Sequence, residues 1–187
     1  YALPCSRPNG NILFLGDSIV QGAFVSSPSA AWTEHVAAAW NMEVYNWAVS
    51  GSIMSSDIAH FTCCCKPACV WIAYGVNDFN ANISLVKFHR IAQNFLSTVT
   101  DRSNASVFLQ TPIPRLERNP INKNGDSLED FRCVLREVGS IFPSVITVEG
   151  EELLDAKPDC FSDSLHPNDV GAAMIAQRII QKEELWP

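Results

Sequence analysis

No apolar stretch in this 187-residue chain approaches the roughly 20 residues that a membrane-crossing helix needs, so no membrane span is expected. Basic charge is scarce as well. Only 13 Lys and Arg face 20 Asp and Glu, and the net charge of -7 argues against a nucleic-acid partner, because phosphate binding needs clustered cations. Charged residues make up 18% of the chain, yet its 47% hydrophobic content is ordinary for a folded protein, so disorder is not expected. Internal repeats, low-complexity tracts and linkers are missing too, which leaves one domain over residues 1–187. A chain of this length buries close to 70% of its unfolded surface and needs no second core.

Cysteine, by contrast, is abundant: Cys5, Cys63, Cys64, Cys65, Cys69, Cys133 and Cys160. Two glycosylation acceptors accompany them, at Asn82 and Asn104, and the chain begins at Tyr1, which reads as a processed product. Together these features predict a secreted, extracellular protein stapled by disulfides. An odd count leaves at least one thiol outside such pairs, and sequence does not fix the connectivity. The cluster CCCKPAC also has a zinc-binding reading, but no second paired half or histidine partner accompanies it, so disulfides are preferred.

Short apolar runs alternate with longer amphipathic stretches, the pattern of strand-helix units around a parallel sheet. Strands are predicted over 12–15, 44–48, 70–74, 107–110 and 145–148, and helices over 30–40, 85–98, 128–138 and 170–180, the last capped by Asn168 or Asp169. Right-handed crossovers then give an open α/β sheet with helices on both faces, and ligands in such sheets sit beyond the carboxyl ends of the strands. Residues 112–126 form the one long irregular stretch, follow the fourth strand, and are a candidate substrate wall.

Three of those strand ends carry glycine beside small polar groups: Gly16-Asp17-Ser18, then Ser50-Gly51-Ser52, then Gly75-Val76-Asn77-Asp78. Farther on, DSLHP sets Asp163 three residues before His166. A hydroxyl becomes a nucleophile only when a base takes its proton, and the base needs a third group to fix its tautomer. Ser18, His166 and Asp163 have the chemistry for those roles, with Pro167 keeping His166 out of helical geometry. His166 must be neutral to accept the proton, so the rate is expected to fall in acid. Acyl transfer also needs donors at the developing oxyanion, each worth roughly 10²- to 10³-fold in rate. The backbone N–H groups of Ser18 and Gly51 and the side-chain amide of Asn77 are the candidates. Asp17 reads as a local hydrogen-bonding residue and Asp78 as a helix cap. His35, His60 and His89 have no matching acid or serine, and Trp32, Trp40 and Trp71 read as core, with Trp47 alone near a strand end.

These blocks, GDS, SG, GVND and DSLHP in that order, closely resemble the SGNH hydrolases, also called GDSL esterases and lipases, over residues 11–180. The resemblance implies a flavodoxin-like three-layer α/β/α sandwich with a five-stranded parallel sheet of order 2-1-3-4-5. It also implies ester hydrolysis through an acyl-enzyme, the triad and oxyanion donors just given, and no metal or organic cofactor. Val20 stands where the elbow of the larger α/β-hydrolases has glycine, which favours the smaller fold. QTPIPR matches the family only loosely, so the role of Arg115 stays open. The expected substrate is a small acyl ester, foremost an acetyl group on a carbohydrate, taken by a monomer. A broad short-chain esterase or lysophospholipase-like enzyme is the alternative, and a non-catalytic binding module on the same fold the second one.

Overall fold

The computed structural model describes residues 8–186. Five short runs rich in Val, Ile, Leu and aromatic residues pair as one parallel sheet of order β2-β1-β3-β4-β5. They are β1 (Asn11–Gly16), β2 (Glu43–Asn46), β3 (Cys69–Ala73), β4 (Ser106–Gln110) and β5 (Val145–Val148). Among the described residues seven α-helices connect or follow them: α1 (Ser18–Gln21), α2 (Trp32–Ala39), α3 (Ser56–Ala59), α4 (Val76–Asn80), α5 (Leu85–Arg102), α6 (Leu128–Ile141) and α7 (Asp169–Ile180). The order is the one expected from the resemblance.

Side chains alternate between the two faces of a strand, and the ladder register shows what each face buries. Phe14, Trp71 and Phe108 occupy equivalent positions on three adjacent strands. Trp32 and Trp40, from α2 and its C-terminal end, pack on them, with ring centroids 5.3 Å apart for Phe14–Trp32 and 6.1 Å for Trp40–Phe108. α7 packs beside α2, and α5 packs beside α6. The α5–α6 pair contributes Phe88, Phe95 and Phe131, and Leu109 of β4 lies close to Gly139 of α6. Helix starts follow sequence chemistry: Ser84 caps α5, Ser127 and Asp130 form a capping box on α6, and Asn168 caps α7 by accepting from the N–H groups of Val170 and Gly171.

Several boundaries differ from the sequence reading. β2 stops at Asn46 because that side chain donates to the Val20 carbonyl at 2.9 Å and accepts the Ala48 N–H at 3.1 Å, which bends the chain. Residues 28–30 form a separate 3-10 turn, so α2 begins only at Trp32.

The expected disulfide staples are not formed by the cysteines that can be placed. Cys64, Cys69, Cys133 and Cys160 carry no disulfide, and Cys65 donates its Sγ–H to the Thr62 carbonyl at 3.7 Å. The reason is location. Cys69 is sealed inside β3, where burial pushes its thiol pKa up, Cys133 is exposed on α6, and Cys160 is buried just before the turn into α7. Cys5 and the side chain of Cys63 lie outside the described residues.

Candidate active site

β1 delivers Ser18 to the carboxyl edge of the sheet. Gly16 ends the strand and permits a close approach: a Cβ there would collide with the Val20 side chain and the Ala73 carbonyl oxygen. Asp17 caps α1 by accepting the Ile19 N–H at 2.9 Å, and Ser18 opens that helix, 5% exposed.

His166 comes from a small closed loop. Phe161 and Pro167 form an antiparallel bridge, and the Ser162 N–H donates to the His166 carbonyl at 2.9 Å. Inside the loop Asp163 Oδ1 accepts the N–H groups of Leu165 and His166, each at 2.7 Å, while Oδ2 lies 2.7 Å from His166 Nδ1. With the Nδ1 proton directed at that carboxylate, Nε2 is left to accept the Ser18 hydroxyl, 2.9 Å away. Burial opposes ionisation of Asp163, but the His166 backbone and ring N–H groups and the Leu165 N–H hold its carboxyl down at about 2. The structure thus joins Ser18, His166 and Asp163 in one hydrogen-bonded chain.

Gly51 lies in the loop after β2, and Asn77 in α4, directly after β3. Gly51 is exposed at φ +78°, a conformation that side chains rarely adopt, and nothing lies within 4 Å of where a Cβ would be. The Asn77 amide donates to the Ser52 carbonyl at 3.1 Å and more weakly to Asp17 Oδ2 at 3.5 Å. Ser52 Oγ in turn donates to the Gly16 carbonyl at 2.9 Å, which ties the Gly51 loop to the end of β1. Asp78 lies in the first turn of α4, whose N-cap position is Gly75. Fully buried, it accepts the Met54 N–H with both oxygens, at 3.2 and 3.3 Å. Burial pushes Asp17 and Asp78 up to about 6 each, against the Ile19 and Met54 N–H groups that pull them down.

Residues 112–126 do border the site: the Leu116 N–H donates to the Ser164 carbonyl of the His166 loop at 2.9 Å. Arg115 lies farther along this wall, bonded to Asn80 and Glu117. Buried Arg132 of α6 holds the start of the wall, donating from Nε to the Pro112 carbonyl at 2.8 Å and from Nη2 to the Ile113 carbonyl at 3.2 Å. A cavity of about 20 Å³, lined by Asp17, Ile19, Tyr74, Val76, Pro112 and Ile113 among others, is lined by neither Ser18 nor His166. Trp32, Trp40 and Trp71 are core, Trp47 is partly exposed, and His89 faces Glu137 at 3.6 Å. Sequence reasoning missed Phe24, whose ring lies on the His166 imidazole, and the inward roles of Asp78 and Arg132. A signal existed only for Arg132, which sits on the apolar stripe of α6 between Leu128 and Leu135. Among the described residues no cluster of three or more His, Cys, Asp or Glu is placed to hold a metal ion, and none of the helices is long and apolar enough to cross a membrane.

A hydroxyl, an imidazole and a carboxylate bonded in series at the carboxyl edge of a 2-1-3-4-5 parallel sheet define the class of serine-hydrolase-type α/β/α sandwiches. Residues 14–174 match the GDSL-like lipase/acylhydrolase family, and the chain belongs to that family. No curated protein matches it by sequence. Among solved structures it is similar to a salicylyl-acyltransferase from a tetracycline biosynthetic pathway, at 20% identity and TM-score 0.77, covering 94% of this chain and 54% of that one. The chain therefore spans about half the length of that protein. It is also similar to a psychrotrophic esterase from Pseudoalteromonas sp. (16% identity, TM-score 0.75, 94% and 97% covered). An acetylxylan esterase from Geobacillus stearothermophilus gives 16% identity, TM-score 0.73 and 95% coverage of both chains. These likenesses establish the shared fold.

Proposed function

We propose that the protein is a secreted serine esterase that removes small acyl groups, acetyl foremost, from a carbohydrate through an acyl-enzyme. Ser18 Oγ attacks the ester carbonyl and passes its proton to His166 Nε2; the imidazolium is held by Asp163 and then protonates the departing alcohol. The N–H groups of Ser18 and Gly51 and the Asn77 amide receive the oxyanion. Water, deprotonated by His166, releases the acid in the second half. The observation that carries this reading is the unbroken chain from Ser18 through His166 to Asp163, with contacts of 2.9 and 2.7 Å.

The short-acyl part is supported by the acetyl ester named for the similar acetylxylan esterase. The carbohydrate part is supported by the named activities of the acetylxylan esterase and of a similar esterase active on acetylated mannans. Secretion is supported by the exposed acceptor Asn104, in the turn before β4, and mass spectrometry of the natural protein for a glycan there tests it.

Ser18→Ala should abolish p-nitrophenyl acetate turnover and fluorophosphonate labelling while leaving the fold intact; full activity in that variant removes the serine mechanism. Turnover compared across acetylated oligosaccharides and p-nitrophenyl esters of rising chain length tests the substrate. Equal rates for acetate and octanoate would favour the broad short-chain or lysophospholipase-like alternative.

A further inference from the structure

The loop after α1 carries an aromatic ring that the mechanism above does not use. α1 ends at Gly22, the chain doubles back so that the Ala23 N–H reaches the Ser18 carbonyl at 3.0 Å, and Phe24 then lays its ring on the imidazole of His166. The ring centroids are 4.1 Å apart and the planes lie within 18° of parallel. Phe24 is 47% exposed, unlike the sealed core rings of Phe14 and Phe88. Two long-range bonds fix the loop. Ser162 Oγ donates to the Phe24 carbonyl at 3.2 Å, and the Ser26 N–H donates to Asp169 Oδ1 at 2.7 Å. Ser162 and Asp169 lie on either side of His166 in sequence, so the loop that carries the aromatic is tied at two points to the segment that carries the imidazole. A single exposed apolar residue is ordinary on a protein surface; one stacked face to face on the site's imidazole and anchored on both sides is a specific arrangement.

We propose that Phe24 is a positioning residue for His166: it holds the ring in the plane that links Ser18 to Asp163 and stabilises that ring while it carries the proton. The inference rests on the serine-esterase reading. During attack the Ser18 O–H bond breaks, the oxygen bonds to the acyl carbon and the proton moves to Nε2. Nδ1–H stays on Asp163, so the ring gains one positive charge. The face of an aromatic ring attracts a cation, and the stacking also limits rotation of the imidazole away from Ser18. The charge appears only after substrate is bound, so loss of the stack lowers kcat and leaves KM unchanged.

The test compares Phe24→Leu, Phe24→Ala and Phe24→Tyr in steady-state turnover of p-nitrophenyl acetate, together with NMR of the His166 ring protons in the full chain. Leu and Ala should lower kcat about 3- to 30-fold at constant KM, and Tyr should restore it. The ring-current displacement of the His166 protons should persist with Tyr and vanish with Leu. A raised KM at unchanged kcat would instead make Phe24 a substrate contact. Leu performing as well as Phe would reduce the role to filling space, and unchanged His166 signals in the Leu variant would remove the stack itself; each of these overturns the proposal. Should the Ala variant fail to fold, Leu and Tyr decide. A wild-type chain that neither turns over the ester nor takes up a fluorophosphonate overturns the esterase reading and this inference with it, whereas wild-type turnover with unaffected Phe24 variants overturns this inference alone.

Discussion

On the floor of the site, Asp17 and Asp78 are sealed from water and bonded to backbone N–H groups, and burial carries both up to about 6. On the arm that presents His166, Asp163 is 43% exposed on its side chain, accepts three N–H groups and is held at about 2. One residue type thus serves two purposes. The floor uses carboxylates to fix loops: Asp78 anchors Met54 beyond the Gly51 turn, and Asp17 starts α1 beneath Ser18. Their ionised forms are disfavoured by the same burial that makes the floor rigid. The arm keeps its carboxylate charged through the whole neutral range, as orienting an imidazole that becomes positive requires. Rigidity and charge are therefore assigned to different carboxylates around the candidate nucleophile, and substitutions in the floor and in the arm should fail in different ways.

The largest effect is expected on the arm. Asp163→Asn keeps an oxygen for the Leu165 and His166 N–H groups but removes the acceptor that fixes the Nδ1 proton. kcat for p-nitrophenyl acetate should fall about 10²- to 10⁴-fold while the melting temperature changes little at pH 7. Near wild-type turnover would mean that the arm's charge is not used. On the floor, Asn77→Ala removes one proposed oxyanion donor and frees the Ser52 carbonyl, so kcat should fall about 10²- to 10³-fold, accompanied by a measurable loss of thermal stability. If Asn77→Ala lowers stability without lowering kcat, Asn77 is scaffold alone and the oxyanion is held by main-chain donors.

The two sides were not equally legible in the sequence. Ser18, Gly51, Asn77, Asp163 and His166 stand out because each follows an apolar run and sits among glycine or turn residues, and a parallel sheet sends all such ends to one edge. Strand positions were legible for the same reason: a buried parallel strand is an uninterrupted apolar run, as in Ile12 to Leu15. What stayed hidden depends on contacts that exist only after folding. The bond from Asp78 to Met54 was hidden because the two lie 24 positions apart. Phe24 stands in a loop with no periodicity, and its ring partner lies on a segment at the far end of the chain. Which cysteines bridge was not legible, because their number is a property of composition whereas bridging depends on where each thiol lies, and among the described residues Cys69, Cys133 and Cys160 lie apart in β3, in α6 and before α7.

The smallest expected effect is thermodynamic, and it sharpens the contrast between floor and arm through pH. Asp17 and Asp78 bind a proton more tightly in the folded chain, at about 6, than at the ordinary value of 3.8, so between these limits the folded state holds more protons than the unfolded one. Stability contributed by these two groups must therefore fall as pH rises from about 4 to about 6. Asp163 has the opposite sign: its pairing stabilises the fold above 3.8 and is lost as pH falls through about 2, by an amount that solvent exposure keeps small. Melting temperatures measured from pH 4 to 7 should decline by several degrees in the wild type. Asp78→Asn should lose its share of that slope while Asp163→Asn keeps it. Equal slopes in all three proteins would mean that the floor carboxylates are not the groups titrating, and the division of labour between floor and arm would then rest on geometry alone.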